Sequence, residues 1–421
     1  MLFFYKVLTV VLYPFLIILT FLRTFVGKED SNRFKEKLFF QKKEVISDKL
    51  IWFHTASIGE INSIIPVVRH FLAKNEDLKI LITSVTLSSS KIFKDEFKNE
   101  KKIIHKYFPM DVSYLTKNFI KNWNPSLVVF VDSEIWPNFI SEIKKKNIPI
   151  VLLNARITDK TCRRWLLLKS FAKEIFSSFS VCIASSLNSK KNLELLGTNN
   201  IKYYGNLKYA DNPKKIEKLE KSLINSLRDR KVWLAASTHK NEEKFCFQVH
   251  KNLKKEYRNI LTIIAPRHIN RIKEIETEAN NSNLKYQIIR DNNEIIKNET
   301  EILLINSFGF LNNYYDYCKN VFIGKSLVKN LVLEGGQNPI EAARLGCKIY
   351  HGPYVYNFLE VYEFLKTNNI SEEIKNPEEL SSKIIHSINS QLKIEDSKVK
   401  TIEIFGKDIL NKTIQGLEEL V

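Results

Sequence analysis

Cysteine is scarce in this sequence, and the cysteines that are present form no pattern. Their number is odd and no two of them form a C-x-x-C pair, which argues against a disulfide framework and against a zinc site. The chain also lacks repeats, coiled-coil heptads and low-complexity tracts. A globular protein of a reducing compartment is the expectation from these absences. The five cysteines are Cys162, Cys182, Cys246, Cys318 and Cys347.

Acidic residues are too few to balance the basic ones, with 47 Asp and Glu against 65 Lys and Arg, a net charge of +18. Such a charge predicts attraction to anionic lipid or to nucleic acid. The alternative is compositional bias: the chain is rich in Lys, Asn and Ile throughout, so part of the excess positive charge can be solvated surface and not a binding patch. The sequence has no helix-turn-helix, RRM-type aromatic signature or basic-aromatic repeat, so a nucleic-acid partner is not expected.

The N-terminal segment lacks charge from Val7 to Leu22, between Lys6 and Arg23. With its apolar flanks it approaches the roughly 20 residues that span a bilayer. No A-x-A-like site follows, which argues against a cleaved signal peptide. We therefore expect a membrane anchor over residues 1–26, with a buried helix as the alternative. A series of basic residues then places the following chain on the cytoplasmic side, namely Arg33, Lys35, Lys37, Lys42 and Lys43.

Beyond residue 45, short apolar runs alternate with longer amphipathic segments, as in βαβ units. The 421 residues, 44% of them hydrophobic, exceed what one core usually supports, so we expect two domains. A boundary is predicted near the charged stretch from Lys214 to Lys221, giving domains over 27–210 and 211–395 and a helix over 396–421 that can pack back on the first domain. The predicted strands are Leu50 to His54, Lys79 to Thr83, Leu127 to Val131, Ile150 to Leu153, Val181 to Ala184, Val232 to Ala236, Leu261 to Ala265, Ile302 to Ile305, Val321 to Gly324 and Lys348 to His351.

Two loops at predicted strand ends in the first half carry carboxylates. The run from Thr55 to Glu60 follows the first strand and opens a helix, so Glu60 lies in a first helical turn. There Glu60 can act as a general base toward an acceptor hydroxyl, or it can form a capping box with Ser57. The run from Asp132 to Asn138 follows another strand and places two carboxylates and a tryptophan at its end. As structural alternatives, Glu134 can be a first-turn helix residue and Trp136 a core residue.

Basic and glycine-rich loops occupy the corresponding places in the second half. Ser237-Thr238-His239 and Pro266-Arg267-His268 follow neighbouring strands and present groups that suit a phosphate. The run from Gly335 to Gly346 combines two glycines, a helix-start signal at Asn338 and a carboxylate at Glu341. It is typical of a nucleotide site with Glu341 facing ribose hydroxyls, although Asn338 to Glu341 also matches an ordinary capping box.

Taken in order, these and further motifs resemble those of the Kdo (3-deoxy-D-manno-octulosonic acid) transferases of lipopolysaccharide synthesis, over nearly the whole chain. The resemblance implies an α/β structure of the GT-B class, with two Rossmann-like domains facing a cleft. It implies transfer of Kdo from CMP-Kdo to a lipid A precursor (lipid IVA). The motifs are Ser57-Ile58-Gly59-Glu60, Glu134-Ile135-Trp136-Pro137-Asn138, Asn154-Ala155-Arg156, Gly205-Asn206-Leu207-Lys208, Ser237-Thr238-His239, Pro266-Arg267-His268, Gly335-Gly336-Gln337-Asn338-Pro339-Ile340-Glu341 and Gly352-Pro353.

The resemblance also implies roles for individual residues. Glu60 would be the general base, and Ser57, Gly59 and Glu134 would lie on the acceptor side. No metal and no cofactor is implied, because fixed positive charge can hold the departing phosphate. Inner-membrane anionic lipids are expected partners, at the cytoplasmic face of the inner membrane. The donor-binding residues would be Lys208, Ser237, Thr238, Arg267, His268, Gly324, Ser326, Asn338 and Glu341.

The second half departs from the family pattern at several positions. Lys325 stands where a glycine is usual and can either add a cation near the phosphate or face the surface. Gln337 replaces a histidine, Phe310 a glutamate and Asn306 an aspartate, while the connection from Leu327 to Gly335 is long. Two alternatives stay open at this point: a GT-B transferase with another nucleotide-sugar donor, and a non-catalytic, basic, membrane-tethered protein that binds lipid or nucleic acid.

Overall fold

The chain forms two compact units, each with its own parallel sheet. The computed structural model describes residues 1–40, 49–210, 219–291, 294–307, 311–329, 335–391 and 394–421. The first unit is Met1–Asn212 together with Phe405–Val421, and the second is Pro213–Ile404. Phe310, Lys42 and Lys43, most of the stretch from Lys214 to Lys221 and part of the Leu327 to Gly335 connection lie outside the described residues.

The first unit is built on a seven-stranded parallel sheet in the order β3-β2-β1-β4-β5-β6-β7. Its central strands are continuous apolar runs, as expected of strands covered by helices on both faces. Trp52, Phe130 and Phe139 are fully buried, and the ring of Trp52 packs against the rings of both phenylalanines. The strands are β1 Leu50–Thr55, β2 Lys79–Ser84, β3 Ile103–Tyr107, β4 Leu127–Val131, β5 Ile150–Ala155, β6 Val181–Ala184 and β7 Ile201–Tyr203.

Helices connect these strands, since parallel neighbours need crossover connections. The helices of this part of the chain are α1 Leu2–Phe25, α2 Lys35–Leu38, α3 Ile58–Lys74, α4 Leu87–Glu96, α5 Ser113–Trp123, α6 Pro137–Lys145, α7 Asp159–Leu166, α8 Lys169–Phe176 and α9 Leu187–Leu195. A 3-10 turn, Leu207–Tyr209, follows β7.

The second unit repeats the architecture with a sheet in the order β10-β11-β9-β8-β12-β13-β14. Its strands are β8 Lys231–Thr238, β9 Ile260–Pro266, β10 Tyr286–Ile289, β11 Ile302–Ile305, β12 Asn320–Ile323, β13 Lys348–His351 and β14 Ser371–Glu373. Its helices are α10 Lys221–Leu227, α11 Glu242–Glu256, α12 Ile272–Asn281, α13 Leu311–Tyr317, α14 Ile340–Arg344, α15 Leu359–Thr367, α16 Pro377–Asn389 and α17 Asp396–Glu418, which runs on into the residues grouped with the first unit.

Strand order reverses once in each sheet. In the first unit β1 pairs with β2 on one side and with β4 on the other. In the second unit β8 pairs with β9 and with β12 in the same way. Open α/β sheets bind ligands beyond the carboxyl ends of the strands at such a switch point. The loops after β1 and β4, and after β8 and β12, are therefore where ligand contacts are expected.

The N-terminal helix α1 is the one described helix that is long and apolar enough to cross a membrane, judged by length and composition. Only Thr20 within it is buried, so the buried-helix alternative does not hold. One side of α1 nevertheless contacts the first unit. The Tyr5 hydroxyl donates to the Asp111 carboxylate at 2.9 Å, and the Asn138 amide donates to the Thr9 hydroxyl at 3.2 Å.

The C-terminal end of α17 packs on the first unit. Glu418 accepts from His70 and from Lys74, each at 2.8 Å, and Phe405 stacks on Tyr209 with ring centroids 5.9 Å apart. The five cysteines are free thiols buried in the two cores.

Candidate active site

Glu60 lies at the start of α3, directly after the carboxyl end of β1. Ser57 caps this helix, because its hydroxyl oxygen accepts from the Glu60 N–H at 3.3 Å. The Glu60 carboxylate in turn accepts from the Ser57 hydroxyl and from the Ala56 N–H, each at 2.7 Å. The capping interaction and the functional interpretation are therefore compatible, since the cap fixes the carboxylate at the switch point.

Burial of this carboxylate changes its acidity. The Glu60 side chain is buried at the edge of the sheet, and this burial raises the pKa of its carboxyl group to about 7. The negative charges of Asp132 and Glu134 raise the pKa further, while the hydrogen bonds from Ala56 and Ser57 oppose the shift. A carboxylate with a pKa close to the operating pH is well suited to accept a proton.

An ion pair between Asp132 and Lys208 lies next to the loop that carries Glu60. Asp132 follows β4 with a left-handed backbone (φ 61°), and its carboxylate accepts from the Lys208 ammonium group at 2.7 Å. Lys208 lies on the 3-10 turn after β7, and a Cβ atom added to Gly59 would stand 3.7 Å from its side chain. Lys208 therefore brings a positive charge to the loop that carries Glu60.

Glu134 is half-buried and is held by a chain of hydrogen bonds that leads into the core. It lies 3.2 Å from Nε2 of His54 and accepts from the Trp136 indole at 2.8 Å. Nδ1 of His54 lies 2.9 Å from the Thr83 hydroxyl, which also accepts from the Trp52 indole at 2.9 Å. Although burial raises the pKa of the Glu134 carboxyl, the bond and charge of His54 and the bond from Trp136 outweigh it and lower the pKa overall.

In the second unit, Glu242 joins the loops that follow β8 and β12. Its buried carboxylate accepts from four backbone N–H groups. The donors are His239 at 2.8 Å, Lys325 at 2.7 Å, Ser326 at 2.9 Å and Leu327 at 3.0 Å. Such a set of bonds fixes both switch-point loops in one arrangement.

The loop after β8 meets the loop after β9. Ser237 has a left-handed backbone (φ 54°), and the buried Thr238 hydroxyl donates to Glu243 at 2.9 Å. Arg267 donates its N–H to the Thr238 carbonyl at 3.0 Å, and its side chain is exposed, as is that of His268. The imidazole rings of His239 and His268 lie 5.6 Å apart. Several basic groups therefore surround the end of β8.

The glycine-rich loop before α14 is close-packed. Gly336 has a positive φ of 90°, and a Cβ atom there would stand 3.0 Å from Val355. The Asn338 side chain accepts from the Ile340 N–H at 3.1 Å, and Glu341 is exposed in the first turn of α14. This Asn338 bond lies in the turn before α14, whose N-cap residue is Pro339 without a side-chain cap bond, so the predicted capping box is not the start of this helix.

Comparison with known proteins finds relatives of this chain. Residues 32–211 match the family model of the 3-deoxy-D-manno-octulosonic-acid transferases. A 3-deoxy-D-manno-octulosonic acid transferase of Rickettsia bellii is 32% identical over 382 residues, covering 89% of this chain and 88% of that protein. The corresponding enzyme of Haemophilus influenzae is 31% identical over 376 residues, covering 86% and 84%.

The chain belongs to the Kdo transferase family. It is therefore a glycosyltransferase, and the non-catalytic alternative is excluded. A solved glycosyltransferase of Rickettsia africae has the same fold, with a TM-score of 0.61 over 89% of this chain and 99% of that one at 14% identity. The predicted GT-B class, with two Rossmann-like domains, is confirmed.

The structure of this Kdo transferase brings the candidate residues together in two groups. Ser57, Gly59, Glu60 and Glu134 lie at the switch point of the first unit. Lys208, predicted on the donor side, lies in the first unit with them, paired with Asp132. Ser326 is buried, and its hydroxyl donates to the Ile323 carbonyl and accepts from the Gly352 N–H. The other donor-side candidates lie in the second unit, at the ends of strands, in the loops after them or in the first turn of α14, namely Ser237, Thr238, Arg267, His268, Gly324, Asn338 and Glu341.

Sequence reasoning missed the residues that orient these groups. His54 and Thr83 belong to separate strands and meet only because β1 and β2 pair in register. The usable signal was a polar histidine at the end of an apolar run, directly before the Glu60 loop. Among the described residues, no group of three or more His, Cys, Asp or Glu side chains is arranged to hold a metal ion.

Proposed function

We propose that this transferase moves Kdo from CMP-Kdo to a hydroxyl group of a lipid A precursor, with inversion at the anomeric carbon. The observation that carries the proposal is the buried, capped Glu60 carboxylate at the switch point of the first unit, with a pKa of about 7. In this proposal the first unit takes the acceptor and the second unit takes the donor.

The reaction is a single displacement. The acceptor oxygen forms a bond to the anomeric carbon of Kdo, and the bond from that carbon to the phosphate oxygen breaks. The acceptor proton passes to the Glu60 carboxylate, and the electron pair of the broken bond leaves on CMP. Because one displacement occurs without a covalent enzyme intermediate, the anomeric configuration inverts. A base of this kind contributes about 100- to 10,000-fold to the rate.

Glu134 has a different role in this proposal. Its lowered pKa keeps the carboxylate charged, and the bonds from His54 and Trp136 fix its orientation. A fixed anion beside Glu60 raises the proton affinity of Glu60, and its free lone pairs can orient acceptor hydroxyl groups. Lys208 is proposed to offset this negative charge and to favour the anionic donor.

The donor groups are proposed to bind at the strand ends of the second unit. Arg267 and His268 are exposed beside the β8 loop and suit the phosphate or the sugar carboxylate. Asn338 and Glu341 are proposed for the cytidine ribose and its surroundings, next to the close-packed Gly336. No step in this proposal requires a cofactor. Ser237, Thr238, Gly324 and Ser326 shape the loops that receive the phosphate.

The helix α1 is proposed to anchor the enzyme at the cytoplasmic face of the inner membrane, where anionic lipids and the lipid acceptor are present. Its outer side is apolar and exposed, with Phe3 71%, Val11 61% and Phe15 67% accessible. The net charge of +18 favours docking on an acidic surface. The contacts of Tyr5 and Thr9 hold one side of α1 against the first unit.

Incubation with CMP-Kdo and a tetra-acylated lipid A precursor, followed by mass spectrometry, tests this function. We expect a product heavier than the acceptor by one or more Kdo residues, and NMR of that product should show the inverted anomer. UDP-N-acetylglucosamine in place of CMP-Kdo should give none. Absence of a Kdo product where a control Kdo transferase succeeds would refute the proposed donor and acceptor.

A further inference from the structure

Lys325 has a left-handed backbone conformation, with φ 59°. Glycine adopts this conformation freely, whereas a Cβ atom makes it unfavourable. Ten non-glycine residues in the described part of the chain have positive φ, and six of them are asparagine, which tolerates it. The other four are Asp132, Ser237, Lys325 and Gln391. Three of these four lie at a switch point, and Lys325 carries the longest side chain.

Hydrogen bonds of the surrounding backbone and of Glu242 hold this conformation. The Lys325 N–H donates to Glu242 at 2.7 Å, and the Lys325 carbonyl accepts from the Gly336 N–H at 2.6 Å. The next two N–H groups also donate to Glu242. A glycine would make the same bonds with less strain. Strained residues that the surroundings hold in place are concentrated at functional sites, so the side chain is the feature to explain.

Lys325 lies where β12 ends beside β8, at the switch point of the second unit. The preceding residue, Gly324, donates to the Ala236 carbonyl at 2.8 Å, and a Cβ atom on Gly324 would stand 2.6 Å from the Ser237 carbonyl oxygen. The bond from Gly336 ties Lys325 to the glycine-rich loop as well. Lys325 therefore joins the two loops to which we assign the donor phosphate and nucleoside.

Other basic groups surround the same place. The pKa of His239 is lowered to about 4, first by burial and then by the positive charges of Lys325, His268 and Arg267. Positive charges gathered at one place attract a negatively charged ligand. The electrostatic arrangement therefore matches an anionic ligand.

We propose that the Lys325 ammonium group binds an oxyanion of the donor, either its phosphate or its sugar carboxylate, at the switch point of the second unit. This inference rests on the proposed function, because it takes CMP-Kdo as the donor. It accounts for a lysine in a position where the backbone favours glycine.

Binding of CMP and of cytidine to purified full-length protein in detergent tests the proposal. Lys325→Gly removes the charge and the strain together, Lys325→Arg keeps the charge, and Gln391→Gly relieves a comparable left-handed residue away from the site. Loss of one charge-assisted contact weakens binding by about 10- to 100-fold. We expect Lys325→Gly to weaken CMP binding by this factor and to leave cytidine binding unchanged. Lys325→Arg should restore much of the CMP affinity, and Gln391→Gly should match the wild type.

The thermal midpoint separates this loss from misfolding. Both glycine variants should melt at or above the wild-type temperature, by up to about 4 °C, because each removes backbone strain. If CMP binding is unchanged but the KM for CMP-Kdo rises, the anion bound by Lys325 is the sugar carboxylate. If Lys325→Gly changes neither the CMP affinity nor the KM for CMP-Kdo, the inference is wrong while the proposed function stands. Wild-type protein that fails to bind CMP would refute the proposed function, and this inference with it.

Discussion

Glu60 and Glu134 lie on neighbouring loops, and the pKa values of their carboxyl groups are shifted in opposite directions. Burial raises that of Glu60 to about 7, whereas the interactions with His54 and Trp136 lower that of Glu134. Two carboxyl groups with separated pKa values have different roles in a reaction. We propose that the one that titrates near neutral pH, Glu60, is the proton acceptor, and that Glu134 remains a fixed anion.

The pH dependence of the reaction follows from this assignment. Only deprotonated Glu60 can accept the proton, so kcat/KM for the acceptor should rise with pH and level off above about 7. We expect this rise in the wild type between about pH 5.5 and 8, measured with donor saturating. A flat profile over that range, with intact protein, would mean that another group is the base.

The raised pKa of the Glu60 carboxyl group makes stability fall with rising pH, whereas the activity is expected to rise. A carboxyl group with a raised pKa binds its proton more tightly when folded than when unfolded. Its contribution to the free energy of unfolding is therefore complete below its usual pKa of 4.5 and is lost as pH rises through about 7. In the proposed mechanism, catalysis uses the ionised form that the fold disfavours, which is a common property of buried active-site groups.

Donor binding is proposed to depend on single residues of the second unit. We expect Arg267→Ala and Glu341→Ala to weaken CMP binding by about 10-fold or more, since each removes a charged hydrogen-bonding partner. The KM for the acceptor should change little. Glu378→Ala is a matched control, because Glu378 is also an exposed carboxylate in the first turn of a helix of this unit. Unchanged CMP affinity in folded Glu341→Ala protein would leave Glu341 with a purely structural role.

The sequence predicted the residues that follow strands, but not the contacts that tune them. Glu60, Glu134 and Arg267 were identifiable because polar groups directly after apolar strands meet at one sheet edge. Lys208 pairs with Asp132, which lies 76 positions earlier in the chain. Glu242 of α11 accepts hydrogen bonds from the loop that begins at Lys325, more than 80 positions later. Such contacts depend on sheet order, which local periodicity does not specify.

At the scale of elements, the strands that were missed share one property. All ten predicted strands are present, and within the described residues the four further strands are the edges of the two sheets: β3, β7, β10 and β14. Central strands are buried on both faces and appear as apolar runs. Edge strands are partly exposed and mixed in composition, as in Ser371–Glu373, so their sequence gives a weaker signal.

The proposed role of α1 as a membrane anchor can be tested by truncation. Removing residues 1–26 should release the protein from membranes more completely at high salt than at low salt. Only basic residues would then hold it, and their attraction to anionic lipid is screened over about 8 Å at physiological ionic strength. The first unit should still fold, because Asp111 keeps the N–H bonds from Asn138 and Phe139 at 3.1 and 3.0 Å.

Fractionation of truncated protein across a salt series is the measurement. Tyr5→Phe is the matched control: it removes the hydroxyl bond to Asp111 but keeps the apolar surface, so it should stay on the membrane. Truncated protein that remains membrane-bound at high salt would show that a different hydrophobic surface is the anchor.

At the scale of the whole molecule, the same architecture occurs twice with different chemistry at its two switch points. The first unit presents carboxylates beside a lysine, and the second presents basic groups and close-packed glycines. The two-domain composition could be predicted from chain length and strand spacing. The difference between the halves was visible only in the loops after the strands. We propose that the first unit performs the proton transfer and that the second unit binds the donor.

Glu60→Gln tests this division most directly, because the amide keeps the shape of the side chain but cannot accept the proton. Kdo transfer to lipid A precursor and CMP binding are measured on the same preparation. We predict that transfer falls by about 100- to 10,000-fold while CMP affinity stays within about twofold of wild type. Transfer near the wild-type rate would contradict the account and reduce Glu60 to a helix-capping residue, with Glu134 the next candidate for the base.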